Sequence, residues 1–181
     1  MAILKEKNYT LDDIYKLPEG KRAELIDGYI YDMAPPSRRH QRISFEISRK
    51  IADYIDEHHG TCEVNLAPFA VFLDENDKTY VEPDISVVCD ESKLDDKGCN
   101  GAPDWIIEIV SPGSRRMDYG IKLFKYRSAG VREYWIVNPM KETVQAYSFE
   151  GTEDSMQYSF SDLIGSGIFE DLRICITDML K

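Results

Sequence analysis

No stretch of the chain approaches the roughly 20 consecutive apolar residues of a membrane-spanning helix, and the expectation is of no membrane association. The charged opening MAILKEKNYTLDDIYKL lacks the apolar segment of a secretory signal. These absences predict a soluble, cytoplasmic protein. Cysteine is scarce: Cys62, Cys89, Cys99 and Cys175 are scattered, and no two form a CxxC pair, which argues against a zinc site. Cys62, Cys89 and Cys175 lie in strand-like apolar surroundings, which predicts inert core thiols in a reducing compartment. Neither a glycine-rich phosphate loop nor a GxSxG elbow is present. Nucleotide binding of the P-loop or dinucleotide type and serine-hydrolase chemistry are therefore disfavoured. Internal repeats and low-complexity segments are also missing.

Positive charge is in short supply. Lys and Arg number 22 against 33 Asp and Glu, for a formal net charge of -11. Broad, non-specific affinity for nucleic acid is disfavoured, because phosphate neutralisation needs clustered cations. The charge is nevertheless uneven. Basic groups gather at Arg38, Arg39, His40 and Arg42, and again from Arg115 to Arg127. Acidic groups gather at Asp90, Glu91, Asp95 and Asp96 and at Glu153 and Asp154, as solvated loops do.

What is present is a chain of 181 residues, 43% hydrophobic, enough for a real core. It reads as one domain over 1–181: an N-terminal helix and hairpin (1–36), a core (37–150) and a C-terminal extension (151–181). Thr10 followed by Asp12 and Asp13 predicts a short capped helix. Asp27-Gly28 between two apolar runs predicts a hairpin. Ile43, Ile47, Ile51 and Ile55 recur every four residues and predict a helix over about 40–58. Strands follow over 62–73, bent near Pro68, and over 80–89, with Pro83 demanding an edge, a bulge or an irregular start. After an acidic loop come a strand over 104–110, a helix over 118–129 stopped by Gly130, and strands over 133–137 and 143–149. The tail is weaker, with one short strand over 173–177. The order helix, three strands, helix, strand predicts a mixed β-sheet flanked by helices, in the α/β or α+β class.

Glu108 is the most informative residue. It interrupts the apolar run WIIEIV, where both strand faces look buried. A carboxylate there must be paired, coordinated or protonated. Asp84 occupies a similar place between Pro83 and ISVVC. Two carboxylates on neighbouring strands can share Mg²⁺ or Mn²⁺, since Mg²⁺ binds one or two carboxylates plus water and substrate oxygens. Spacing alone leans slightly to the alternative, a structural salt bridge or backbone hydrogen bonds for each, and the helix that follows changes that weighting. On the following helix Asp118, Lys122 and Lys125 fall on one stripe at 100° per residue. Lys122, flanked by Ile121, Tyr119 and Tyr126, points towards the sheet, whereas Lys125 suits an exposed or intrahelical pairing. Trp105, Trp135, Tyr126 and Tyr134 read as packing residues.

The segments Glu24-Leu-Ile-Asp-Gly28, Met33-Ala-Pro-Pro-Ser37, His40-Gln41, Glu82-Pro-Asp-Ile-Ser86, Gly101-Ala-Pro-Asp104, Glu108-Ile-Val-Ser-Pro112, Asp118, Lys122 and Gly130-Val-Arg-Glu-Tyr-Trp-Ile-Val137 occur in this order. In that order they resemble the Uma-two family of restriction-endonuclease-like proteins, within the PD-(D/E)XK nuclease superfamily. The resemblance covers about residues 20 to 150. It implies a restriction-endonuclease-like core of order α-β-β-β-α-β and metal-dependent hydrolysis of nucleic acid, DNA above all. Asp84, Glu108 and the Ile109 carbonyl would hold Mg²⁺ or Mn²⁺, and Lys122 would assist the attacking water. The superfamily places a lysine two residues after the acid; here Val110 stands there, and the lysine maps to Lys122 on the next helix. Glu24, His40, Gln41 and Asp118 are accessory candidates, and Ser111, Ser114, Arg115 and Arg116 form a candidate phosphate-contacting loop. A catalytically silent binding or regulatory module is the alternative. A homodimer would suit duplex DNA.

Overall fold

The computed structural model describes residues 8–151 and 154–181. The readings of the charged opening at residues 1–7 and of Glu153 lie outside the described residues. The first helix, α1 (Leu11–Tyr15), begins at Thr10, whose N–H donates to the Asp13 carboxylate at 2.9 Å. The hairpin joins β1 (Ala23–Ile26) to β2 (Tyr29–Asp32). Asp27 and Gly28 both take positive φ, 52° and 79°, as a two-residue turn between twisted strands requires. The long helix α2 (Arg38–Glu57) is capped by Ser37, whose side chain accepts the His40 N–H at 3.2 Å. Its predicted stripe of Ile43, Ile47, Ile51 and Ile55 is buried.

The remaining elements run in order. They are β3 (Glu63–Leu66), β4 (Val71–Phe72), β5 (Ile85–Val88), β6 (Leu94–Asp95), β7 (Gly98–Asn100) and β8 (Trp105–Ile109). A π-helical segment (Met117–Lys122) leads directly into α3 (Leu123–Ala129). Gly130 closes α3 in the left-handed conformation, φ 93°, which only glycine adopts without strain. The chain continues through β9 (Glu133–Asn138), β10 (Thr143–Ser148), β11 (Asp154–Ser159), β12 (Ile164–Gly165), β13 (Arg173–Ile174) and α4 (Ile176–Met179).

Six strands form the central mixed sheet in the order β11-β10-β9-β8-β5-β3, parallel only between β8 and β9. All five residues of β8 are buried, because both faces of the sheet are covered. One face packs Ile85, Val87, Trp105, Ile107 and Trp135 against the α2 isoleucines and against Phe160, Ile164, Leu172 and Ile174 from the tail. The other packs Ile106, Val110, Tyr134 and Ile136 against Tyr126 of α3, Ile26 of the hairpin and Val71 and Val81. The predicted core order of helix, three strands, helix, strand is met by α2, β3, β5, β8, α3 and β9.

Several boundaries differ from expectation. The expected strand over 62–73 divides at Ala67-Pro68, and β4 leaves for a separate three-stranded sheet, β4-β7-β6. Residues Tyr80 and Val81 pair with Leu25 and Val71 rather than continuing β5, because Pro83 has no N–H to extend the ladder. The acidic stretch contains β6 and β7, and the tail contributes β11 to the main sheet, so it is part of the core. Cys62 and Cys89 are not separate thiols. Glu63 pairs with Val88, which sets the two cysteines opposite each other one step outward, where they form a disulfide. That bond runs against the expectation of a reducing compartment. Cys175 lies outside any strand, at the cap of α4. Among the described residues no helix is long and apolar enough to cross a membrane.

Candidate active site

The register Ile85↔Ile107 between antiparallel β5 and β8, carried one step, sets Asp84 opposite Glu108. Directly opposed residues project to the same face, here the face under α3. The two carboxylates are thus placed where a single cation could lie between them. Asp84 Oδ2 accepts the Ile109 N–H at 2.7 Å and lies 3.1 Å from His40 Nε2. Glu108 is 4% exposed, and its Oε1 accepts from Lys122 Nζ at 2.8 Å and from the Tyr126 hydroxyl at 2.6 Å. Lys122 Nζ also donates to Glu24 at 2.9 Å, and Glu24 Oε1 in turn accepts the Glu82 N–H at 2.9 Å.

These bonds leave Asp84 Oδ1 and Glu108 Oε2 without a hydrogen bond among the described residues. No three His, Cys, Asp or Glu side chains among the described residues converge on one metal-sized point. Two carboxylate oxygens free on one face are a donor set of the kind that Mg²⁺ completes with water and substrate oxygens.

Asp118, 2% exposed, accepts from the Ser114 hydroxyl at 2.6 Å, and its carbonyl accepts the Tyr134 hydroxyl at 3.1 Å. Ser111 and Ser114 bond each other reciprocally at 3.0 and 3.1 Å, fixing the turn after β8. The π-helical start accounts for which residues of this helix reach the site. A π turn takes up about one extra residue, so later positions lag by about 100°. Asp118 and Lys122 face the sheet, while Lys125 turns away to pair with Asp27 and, at 3.8 Å, with Asp74. The single stripe expected of all three does not form.

Electrostatically the cluster is over-supplied with negative charge. Glu24, Asp84, Glu108 and Asp118 face one buried ammonium and His40. Burial pushes Glu108 up to about 8 despite Lys122, with help from Asp84, Asp118 and Glu24. Burial likewise lifts Asp118 to about 6 against the pull of Lys122 and Ser114. Burial opposes the charged form of Lys122, yet Glu108, Glu24 and Asp118 overcome it and hold the ammonium well above its ordinary value. Burial also lowers His40, but Asp84 and the Ile109 backbone more than offset it, and the net shift is upward.

Of the residues singled out from sequence, Asp84, Glu108, Lys122, Glu24, His40 and Asp118 come together. Gln41 is exposed on α2, and Arg115 and Arg116 are exposed directly after the Ser111–Ser114 turn. Sequence reading placed Tyr126 and Tyr134 among the packing residues; both are fully buried, yet their hydroxyls bond Glu108 and the Asp118 carbonyl. The available signal was the spacing of four between Lys122 and Tyr126, which shares one helix face. Replacing Tyr126 by phenylalanine removes one hydrogen bond to a carboxylate and keeps the packing. A hydrogen bond to a charged group contributes about 1.5–3 kcal/mol, so thermal unfolding of Tyr126→Phe is expected to show a midpoint lower by about 3–12 °C.

Known proteins are similar to this chain in sequence or in fold. The Uma2 family model, described as "Putative restriction endonuclease", matches residues 11–172. The chain belongs to this family. Two Synechocystis proteins are similar to this Uma2 chain. "Uncharacterized protein slr1290" is 27% identical over 128 residues, covering 70% of this chain and 66% of that protein. "Uncharacterized protein sll1609" is 25% identical over 148 residues, covering 80% of each. A crystal structure from Anabaena variabilis, described as "a putative nuclease belonging to DUF820", superimposes with a TM-score of 0.74 at 24% identity. The match covers 94% of this chain and 96% of that one, and shows that the Uma2 chain shares its fold.

Proposed function

We propose that this protein is a Mg²⁺- or Mn²⁺-dependent endonuclease that hydrolyses phosphodiester bonds of nucleic acid, with DNA as the substrate. The observation that carries this reading is the pairing of Asp84 with Glu108 on one face of the sheet, each with an uncommitted oxygen, beside a buried lysine. Asp84 and Glu108 would hold the cation, with the Ile109 carbonyl close by. A bound divalent cation would polarise the phosphate and lower the pKa of a water.

The chain's own residues do the rest. The Ile109 N–H and His40 fix the Asp84 carboxylate, and Tyr126 and Lys122 fix that of Glu108. Held between Glu24 and Glu108, Lys122 acts as a fixed donor and counter-charge that orients water and offsets charge developing on the phosphate. This fixed ammonium stands in for the lysine that Val110 replaces at the usual position. Ser111, Arg115 and Arg116, in the segment that follows β8, would contact the phosphate backbone, which exposed guanidinium groups suit. A homodimer presenting two sites to a duplex belongs to the same proposal; sedimentation of the purified protein tests it.

The test is cleavage of single- and double-stranded DNA and RNA with Mg²⁺, Mn²⁺ or EDTA. Cleavage of DNA is expected with either cation and none in EDTA. Asp84→Asn keeps the side-chain shape and removes the charge. Loss of several kcal/mol of charge stabilisation corresponds to about 10²–10³-fold in rate. Undiminished cleavage by Asp84→Asn would overturn the assigned site. Absence of cleavage together with absence of Mn²⁺ binding would point to a silent module on the nuclease fold.

A further inference from the structure

The basic cluster at the start of α2 is not used by the chemistry above. Arg38, Arg39 and Arg42 line a surface cavity of about 540 Å³ together with Lys181, Glu142 and an apolar wall that includes Phe160. On a helix these arginines fall within about 100° of arc, whereas His40 lies about 100–160° away from them. One turn of α2 thus presents the cavity on one side and a contact to Asp84 on the other. Four cationic side chains line the cavity against one carboxylate, in a chain whose net charge is -11. The cationic wall is only partly neutralised from within. Arg39 pairs with Glu142 at 2.6 Å and Arg42 donates to the Lys181 carbonyl at 3.4 Å. Lys181 pairs with Asp178 at 2.6 Å, while Arg38 is exposed and makes no ion pair among the described residues.

We infer that this cavity is a second phosphate-gripping subsite, which holds the nucleic-acid backbone about two to four nucleotides away from the bond placed over Asp84 and Glu108. The inference rests on the nuclease reading for its substrate and goes beyond it in naming where the strand is held. The spacing follows from the helix itself. A helix with its side chains is about 10–12 Å across, and one strand of a duplex advances about 3.4 Å per phosphate. Guanidinium groups recognise phosphate oxygens through two parallel N–H bonds, so their clustering suits a run of phosphates better than it suits isolated carboxylates. Set in a chain whose net charge is -11, a cationic cavity helps to fix where the backbone runs as well as how tightly it is held.

Binding in EDTA needs no turnover and separates this inference from the nuclease reading. A fluorescein-labelled duplex of about 16 base pairs is titrated with wild type, Arg38→Ala/Arg42→Ala and Arg49→Ala/Lys50→Ala, the last a control further along α2, across a salt series. The Arg38→Ala/Arg42→Ala variant is expected to bind about tenfold more weakly, or worse, in low salt. Its slope of log affinity against log salt should shrink by about 2, at about 0.9 for each phosphate left without its cation. The control should match wild type, and thermal midpoints should agree. Arg38→Lys/Arg42→Lys should recover most of the slope, because charge is retained, but only part of the affinity. An unchanged slope in the alanine variant, or competition by poly-glutamate as effective as by DNA, would overturn the subsite whether or not the protein cleaves. Absence of cleavage alongside the expected slope change would overturn only the nuclease reading.

Discussion

Replacing Lys122 by methionine is expected to lower the thermal midpoint by about 6–20 °C and to abolish cleavage. Lys122 is 4% exposed and is the only ammonium donating to Glu24 and Glu108 among the described residues, at 2.9 and 2.8 Å. Methionine keeps the stem length and the packing but leaves two buried carboxylates facing each other. Breaking a buried ion pair from one side costs about 3–5 kcal/mol, and in a protein of this size each kcal/mol shifts the midpoint by about 2–4 °C. Activity should fall by more than the stability loss explains, because Glu108 also loses one of the two donors that fix its Oε1. The measurement is thermal unfolding in EDTA, followed by cleavage at a temperature where the variant remains folded. A midpoint within about 2 °C of wild type would show that the carboxylates are satisfied without Lys122. Full activity in the folded variant would remove Lys122 from the site.

A second large effect concerns pH and metal together. In the folded protein Glu108 is lifted to about 8 and Asp118 to about 6, from ordinary values of 4.5 and 3.8. His40 is also raised. All three bind protons more tightly folded than unfolded. Their contribution to stability is therefore complete at low pH and is lost as pH rises through the folded values. Lys122 shifts the same way but titrates above this range. In EDTA the stability is expected to fall between about pH 5 and pH 8 by on the order of a few kcal/mol, read as a falling thermal midpoint. Adding Mg²⁺ or Mn²⁺ should stabilise little at about pH 5 and most at about pH 8, where the cation takes the place of the missing protons. In Glu108→Gln both the slope and the metal effect should be much reduced. Parallel pH curves with and without metal, or an unaltered slope in Glu108→Gln, would contradict this account.

Individual residues show how far the sequence reaches. The four isoleucines of α2 are legible because a core-facing helix repeats every 3.6 residues wherever it lies. The Asp27-Gly28 turn is legible because its backbone conformation admits few residue types. Glu108 stands out because a lone acid in an apolar strand has no solvent to face. Tyr126 does not stand out. A buried tyrosine reads as packing until the partner of its hydroxyl is known, and that partner is 18 positions earlier in the chain. Lys125 misleads for a different reason: stripe geometry assumes an α-helix, and the π-helical segment from Met117 to Lys122 changes the phase. The Cys62–Cys89 bond depends on the register of two strands whose intervening chain visits another sheet. The tail carries little periodic signal because β12 and β13 contribute two residues each.

By itself the sequence determined the element order of the core, the amphipathic helix α2, the hairpin and the two carboxylates that cannot be ordinary core residues. Those features follow from local backbone preference and from the cost of burying charge, which act within a few residues. Only the tertiary structure decided that Asp84 and Glu108 share a face, that Glu24 and Glu108 divide one ammonium, and that His40 reaches Asp84. Each of those depends on strand register and on contacts spanning between 14 and 98 positions, some of them ion pairs with no periodic pattern to mark them. Charge placement illustrates the division. The excess of acid over base is written in the composition, but whether a buried site takes up a proton or a cation depends on how closely the fold packs its carboxylates around Lys122 and His40.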